Sequence, residues 1–188
     1  MIVRIRHFVR STLRWRNKTT DRETALVVLV PSAEDHILDL RRGLSSGAMP
    51  AHITVLYPFV RTSSITTEVV TLLRRTLREV EPFTFELSKV GWFEERVLYL
   101  VPNPTAPFQE MTQLLACAFP RYKPYRGEFR EIVPHLTVAE GASPSRLRDA
   151  AHVMIELLPI YADVNVVSLM AQNESGNWEI HTTFDLGH

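Results

Sequence analysis

At 188 residues, with 45% hydrophobic and 22% charged side chains and no net charge, the chain can build one sizeable core or two small lobes sharing an interface. One cysteine, Cys117, excludes an intramolecular disulfide and a cysteine-based zinc site and fits a reducing compartment, taken here as the cytoplasm. No apolar run approaches the roughly 20 residues of a membrane span.

The zero charge hides an asymmetry. Arg4, Arg6, Arg10, Arg14, Arg16 and Lys18 fall in residues 1–20, which hold no acid, so the rest carries 15 basic against 21 acidic side chains. A body charge of −6 suits a small nucleotide or a strand end. It is a poor platform for long duplex nucleic acid, whose affinity comes largely from phosphate neutralisation. Residues 1–20 read as a basic extension ahead of a domain over 21–188. Membrane contact through residues 1–18, with Arg6, Arg10 and Arg14 on one helical face, is the less favoured alternative. A monomer is expected.

Thr24 to Val30 is a nearly continuous apolar run rich in β-branched residues, which predicts a buried strand ended by Pro31. Ser32 is the expected cap of a helix over Ala33 to Leu44, closed by Gly43 and Gly47. Next comes Pro50-Ala51-His52-Ile53-Thr54-Val55-Leu56, a strand stopped by Pro58. Residues two apart on a strand share a face, so His52 and Thr54 lie together, opposite Ile53 and Val55.

Thr62, Ser63 and Ser64 open a second predicted helix to about Val80. Phe83, Phe85 and Leu87 alternate as a strand toward Trp92, and Val97 to Val101 forms another, broken by Pro102 and Pro104. A third helix covers Pro107 to Phe119. The loop from Pro120 to Val133 is basic and aromatic, and leads to Pro134-His135-Leu136-Thr137-Val138. That strand again sets a histidine beside a threonine. Ser143 and Pro144 start a helix that ends before Pro159. Two strands finish the chain, Tyr161 to Met170 and Trp178 to Leu186.

The second half repeats the first. Strand 24–30 corresponds to 97–101, His52-Ile53-Thr54 to His135-Leu136-Thr137, helix 65–80 to 144–157, and strand 83–91 to 161–170. His52 and His135 stand 83 residues apart. The expected fold class is α+β, a bilobal duplicated unit with pseudo-twofold symmetry. Its lobes run roughly over 24–92 and 97–186, with one histidine from each meeting across the axis. Two acid/base groups and two hydroxyl donors equip such a cleft for in-line displacement at a phosphodiester.

The stretches PAHITVLYPF and VPHLTVAE, with His-x-Thr twice about 80 residues apart, resemble the two-histidine (2H) phosphoesterase superfamily. Within it they are most similar to the bacterial 2′-5′ RNA ligase-like and cyclic phosphodiesterase branch. The resemblance spans about residues 24 to 186. It implies two antiparallel sheets lining a V-shaped cleft, with helices packed outside. It also implies His52 and His135 as the acid/base pair, and Thr54 and Thr137 on the non-bridging oxygens. The implied reaction is hydrolysis or transesterification of a 2′,3′-cyclic phosphate or a 2′-5′ linkage, with no metal and no cofactor.

A third His-x-Thr, at His181, lies on a strand of alternating polarity with no helix after it. Trp178, Ile180, Thr182 and Phe184 form one expected face there, and His181 falls on the solvated one. His36 and His152 read as surface residues. Tyr57, Phe59 and Trp92 are candidates for stacking on a base, with core packing as the alternative. Tyr125 and Arg130, in the basic loop before the second motif, are candidates for guiding a phosphate. A two-histidine metal site would want a further ligand that the neighbouring sequence does not supply. Two rivals remain: a nucleotide- or RNA-end-binding module with little turnover, and a phosphodiesterase for a small cyclic phosphate outside RNA.

Overall fold

The first strand, β1 (Thr24–Leu29), is buried along nearly its whole length because both of its faces are covered. Leu26 and Val28 enter the main core, whereas Ala25 and Val27 join a second cluster with Met49 and Met170 on the opposite face. The computed structural model that shows this describes residues 21–41, 49–129 and 131–187. The basic prefix with His7, the glycines expected to close the first helix, Arg130 and His188 lie outside the described residues.

The elements in chain order are β1, α1 (Pro31–Arg41), β2 (His52–Leu56), α2 (Thr67–Leu77), β3 (Phe83–Phe93) and β4 (Val97–Asn103). After them come α3 (Ala106–Ala118), β5 (Leu136–Glu140), α4 (Pro144–Leu157), β6 (Ile160–Val164), β7 (Val166–Gln172) and β8 (Trp178–Asp185). Single 3-10 turns occur at Thr62–Ser64 and Pro124–Gly127. Ser143 caps α4, its hydroxyl accepting the Arg146 N–H as its position before Pro144 predicts. Thr66, not Thr62, caps α2. Ser32 caps nothing: α1 begins one residue earlier, at Pro31, and the Ser32 hydroxyl donates to the Tyr161 carbonyl at 2.9 Å.

The eight strands form one antiparallel sheet in the order β6-β3-β4-β5-β2-β1-β7-β8. Two separate sheets were expected. Instead β2 and β5, which would each be an unpaired edge, join at a single registered pair, Ile53 and Leu136. This seam holds both motifs. The four helices bury Ile37, Leu73, Leu77, Phe108, Met111, Leu115, Leu147 and Met154 into the same core as Ile53, Val55, Leu136 and Val138. The opposite face of the two motif strands is left to His52, Thr54, His135 and Thr137.

The strand predicted over Tyr161 to Met170 is two strands at opposite ends of the sheet. β6 pairs with β3, and β7 with β1 and β8. Only Asn165 separates them, so the sheet curls until its ends approach. Asn165 serves that corner by accepting the Leu186 N–H at 2.8 Å. Pro102 does not break β4. It sits opposite Leu87, beside a bulge at Ser88 that relaxes the ladder.

Candidate active site

Alternation within β2 and β5 settles which side chains are available. Ile53 and Leu136 are fully buried under the helices. His52, Thr54, His135 and Thr137 are half-buried on the other face. Extending the antiparallel register by one residue each way from Ile53 and Leu136 sets His52 across from Thr137, and Thr54 across from His135. Each motif strand also carries a bulge at the residue after its threonine, Val55 against β1 and Val138 against β4. Bulges bend a strand and re-aim its side chains.

The two imidazoles are held alike. His52 Nδ1 lies 2.7 Å from the Pro50 carbonyl, and His135 Nδ1 lies 2.7 Å from the Val133 carbonyl. A carbonyl can only accept, so each Nδ1 carries the hydrogen and each neutral ring keeps Nε2 as its free base. Burial pushes the His52 imidazole down from 6.5 to about 4, with Arg41 and His135 adding to the depression and the Pro50 bond opposing it. Burial also lowers His135, against the Val133 bond.

Tyr125 meets Thr54. Burial raises its phenol to about 12, and its hydroxyl is hydrogen-bonded to the Thr54 side chain. The phenol is therefore a fixed, protonated partner for that threonine. Tyr125 and Arg126 reach this position with positive φ angles of 48° and 59°, and the Tyr125 N–H donates to the Tyr57 carbonyl at 2.6 Å. Two successive left-handed non-glycine residues are costly, and such strain gathers at functional sites.

On the other side Phe93 and Tyr99 stack at 4.1 Å and both set an edge or face against the His135 ring, at 4.9 and 5.4 Å. Gly91, paired with Tyr99, makes this possible, because a Cβ there would overlap the tyrosine ring. Gly91→Ala is expected to cost about 1–3 kcal/mol through overpacking and to shift the His135 ring-proton signals as Tyr99 swings away. Urea unfolding and imidazole NMR check both. Unchanged signals would mean that the Tyr99 ring does not depend on the glycine.

Not every candidate reaches the site. Phe59 is a core residue, packed edge-on against Phe119 and Tyr122. Trp92 packs into the helix-side core. The bulge at Ser88 reverses the alternation of β3, so Val90 and Trp92 turn inward while Gly91 and Phe93 turn toward His135. Tyr57 does lie on the cleft-facing side, its ring edge-on to Trp178 and its hydroxyl donating to Glu23 at 2.5 Å. Arg130 lies outside the described residues. His36, His152 and His181 are exposed. His181 is the extra residue of a bulge on the edge strand β8. The bulge separates Trp178 and Ile180 from Thr182 and Phe184, so these four do not share the face expected of them.

Two residues near the motifs carry no motif of their own. Arg41 donates to the carbonyls of Met49, Thr137 and Val138 at 3.0, 2.6 and 3.3 Å. Glu34 accepts the Ala51 N–H. The only sequence signal is their spacing of seven on one helix, which puts them on a common face. Among the described residues no group of three His, Cys, Asp or Glu side chains is arranged to hold a metal ion. No helix among them is long and apolar enough to cross a membrane.

Known proteins repeat this architecture. A protein of Bacillus licheniformis, provisionally described as a phosphoesterase, is 27% identical over 150 residues, covering 74% of this chain and 82% of its own. A similarly described protein of Bacillus cereus is 30% identical over 147 residues, covering 74% and 80%. Among solved structures, a protein of Thermus thermophilus superposes with a TM-score of 0.60 at 16% identity, covering 88% of this chain and 99% of its own. E. coli LigT in complex with 3′-AMP gives 0.56 at 15% identity, covering 89% and 99%. At that identity the structures speak for the fold alone. The family model of the 2′-5′ RNA ligase superfamily matches residues 26–176, a span that contains both histidine–threonine pairs. The match spans most of the chain, and this chain belongs to the 2′-5′ RNA ligase superfamily.

Proposed function

We propose that this protein is a metal-independent phosphodiesterase acting on 2′,3′-cyclic phosphates or 2′-5′ phosphodiester bonds, at RNA ends or in small nucleotides. His52 and His135 are its general base and acid, and Thr54 and Thr137 bind the non-bridging oxygens. The observation that carries this reading is the matched pair of imidazoles. Each gives its Nδ1 hydrogen to a backbone carbonyl two residues earlier and keeps Nε2 for chemistry, with a threonine across the seam.

In hydrolysis of a 2′,3′-cyclic phosphate, the neutral imidazole takes a proton from water as its oxygen bonds to phosphorus. The bond from phosphorus to one ribose oxygen breaks, and the imidazolium opposite protonates that oxygen. The two hydroxyls donate to the oxygens on which charge accumulates. With the 5′-hydroxyl of a second strand in place of water, the same ring-opening step forms a phosphodiester and frees one ribose oxygen, so the same groups make a ligase.

The strand order supports two halves about the seam but not the expected lobe bounds of 24–92 and 97–186. Outward from the seam it runs β2, β1, β7, β8 on one side and β5, β4, β3, β6 on the other, so β3 pairs on the second motif's side and β7 and β8 on the first's, while equivalent bulges follow each threonine. The catalytic unit is then residues 21–188, working as a cytoplasmic monomer, with residues 1–20 outside the chemistry.

The lowered imidazoles set the pH dependence. His52 is neutral above about pH 4 and serves as base. His135 must bring the proton, so it acts below its own lowered value, under 6.5. The profile of kcat/KM, which reports the free enzyme, is expected to be bell-shaped, with one limb near pH 4 and both limbs below pH 6.5. A bound phosphate anion raises both imidazoles, so kcat should peak at higher pH than kcat/KM. The test is turnover of 2′,3′-cyclic nucleotides, 2′-5′ and 3′-5′ oligonucleotides and a non-RNA cyclic phosphate, with chelator present. Activity lost to chelator and restored by a divalent metal would point to metal-activated water. Binding without turnover would leave a nucleotide-binding module.

A further inference from the structure

We propose that Arg41 of α1 is a positioning residue of this site: its guanidinium ties the two histidine-bearing segments together and sets a fixed positive charge at the seam. The proposal rests on the two-histidine reading above and names what makes the two histidines unequal.

β2 and β5 share only one registered pair, so the ladder by itself holds the motif strands weakly together. Arg41 adds three bonds there. Nη2 and Nε donate to the carbonyls of Thr137 and Val138 in the second motif, at 2.6 and 3.3 Å. Nη1 donates at 3.0 Å to the carbonyl of Met49, three residues before His52. A guanidinium offers a rigid planar fork of donors, so one side chain can span both segments. A lysine ammonium is a point charge on a flexible stem and cannot reproduce the fork. From the same helix Glu34 accepts the Ala51 N–H, next to His52. α1 thus grips the entry to β2 with one acceptor and one donor fork, and reaches β5 with the same fork.

The charge, unlike the grip, acts unequally on the two rings. The charged or titratable groups that face His52 among the described residues are Arg41 from α1 and His135 from β5. Glu34 reaches its neighbour Ala51, and Tyr125 reaches its face through Thr54. Arg41 and His135 both disfavour protonation of His52. For His135 the causes are burial and the Val133 bond, with no such contribution from Arg41. Arg41 thereby favours the neutral form of His52, while His135 answers to its burial and its Val133 bond.

The experiment follows both imidazoles of the full chain by NMR pH titration without substrate, and measures kcat and KM on a 2′,3′-cyclic nucleotide. Arg41→Gln removes the charge. It is expected to raise the His52 midpoint by about 0.5–1 unit and to leave that of His135 in place. Arg41→Lys keeps the charge and loses the fork. It should leave the His52 midpoint near the original while kcat falls by roughly 10–100-fold at little-changed KM. Arg41→Gln moving neither midpoint, or both equally, would overturn the bias. Full kcat in Arg41→Lys would overturn the positioning role. If Arg41→Gln does not fold, the lysine variant decides the positioning role through kcat and KM. The titration needs no turnover, so an inactive parent protein would sink the phosphodiesterase reading while the imidazoles still judge Arg41.

Discussion

Replacing His52 or His135 with alanine is expected to lower turnover of a 2′,3′-cyclic nucleotide by about 10²–10⁴, because each substitution removes one of the two proton-transfer partners. The fold should persist. Both rings lie half-buried on the face away from the helices, and the neighbouring core residues Ile53 and Leu136 are untouched. Each variant loses one Nδ1 hydrogen bond, worth about 1 kcal/mol. His135→Ala also loses the contacts to Phe93 and Tyr99 and should be the less stable of the two. The control is His181→Ala. That residue is exposed, extra in its ladder and on the edge strand, so its loss should be nearly silent. Steady-state kinetics with a thermal melt of each variant make the comparison. Full activity in either motif variant would end the two-histidine mechanism, and a large loss at His181 would move the chemistry to β8.

Thr54→Val and Thr137→Val should each reduce kcat by roughly 10²–10³, since each withdraws one donor from a phosphate oxygen on which charge builds up. Their stability effects should differ. Thr54→Val also takes the partner from the buried Tyr125 hydroxyl, an additional cost of about 1–3 kcal/mol. Tyr125→Phe in the Thr54→Val background removes that orphan and should recover part of the stability, but none of the kcat. Urea unfolding beside kinetics separates the two effects. If Thr54→Val keeps full kcat, its hydroxyl serves Tyr125 alone and the phosphate must be held by other groups.

Both histidine–threonine pairs were legible from local geometry. Side chains alternate on any strand, so His52 with Thr54 and His135 with Thr137 had to share faces wherever the strands went. The same holds for Ser143, which caps α4 through a bond three residues along the chain. What could not be read depended on partners distant in sequence. A bulge exists only against a neighbouring strand, so no local pattern announced that Ser88 would turn Trp92 into the core and Phe93 onto His135, or that His181 would divide its own strand. Asn165 looks like one more strand residue until β3 and β1 claim its two sides.

Arg41 belongs to this second class. In sequence it is one arginine among many on a helix. Its three acceptors lie 8, 96 and 97 residues away, and only the meeting of β2 with β5 brings them within reach of one guanidinium. The sequence alone therefore determined which of these groups stand side by side and share a face, because alternation along a strand is local. The tertiary structure decided what surrounds them and what holds them at the seam. Those are properties of register and packing between segments that the chain keeps far apart.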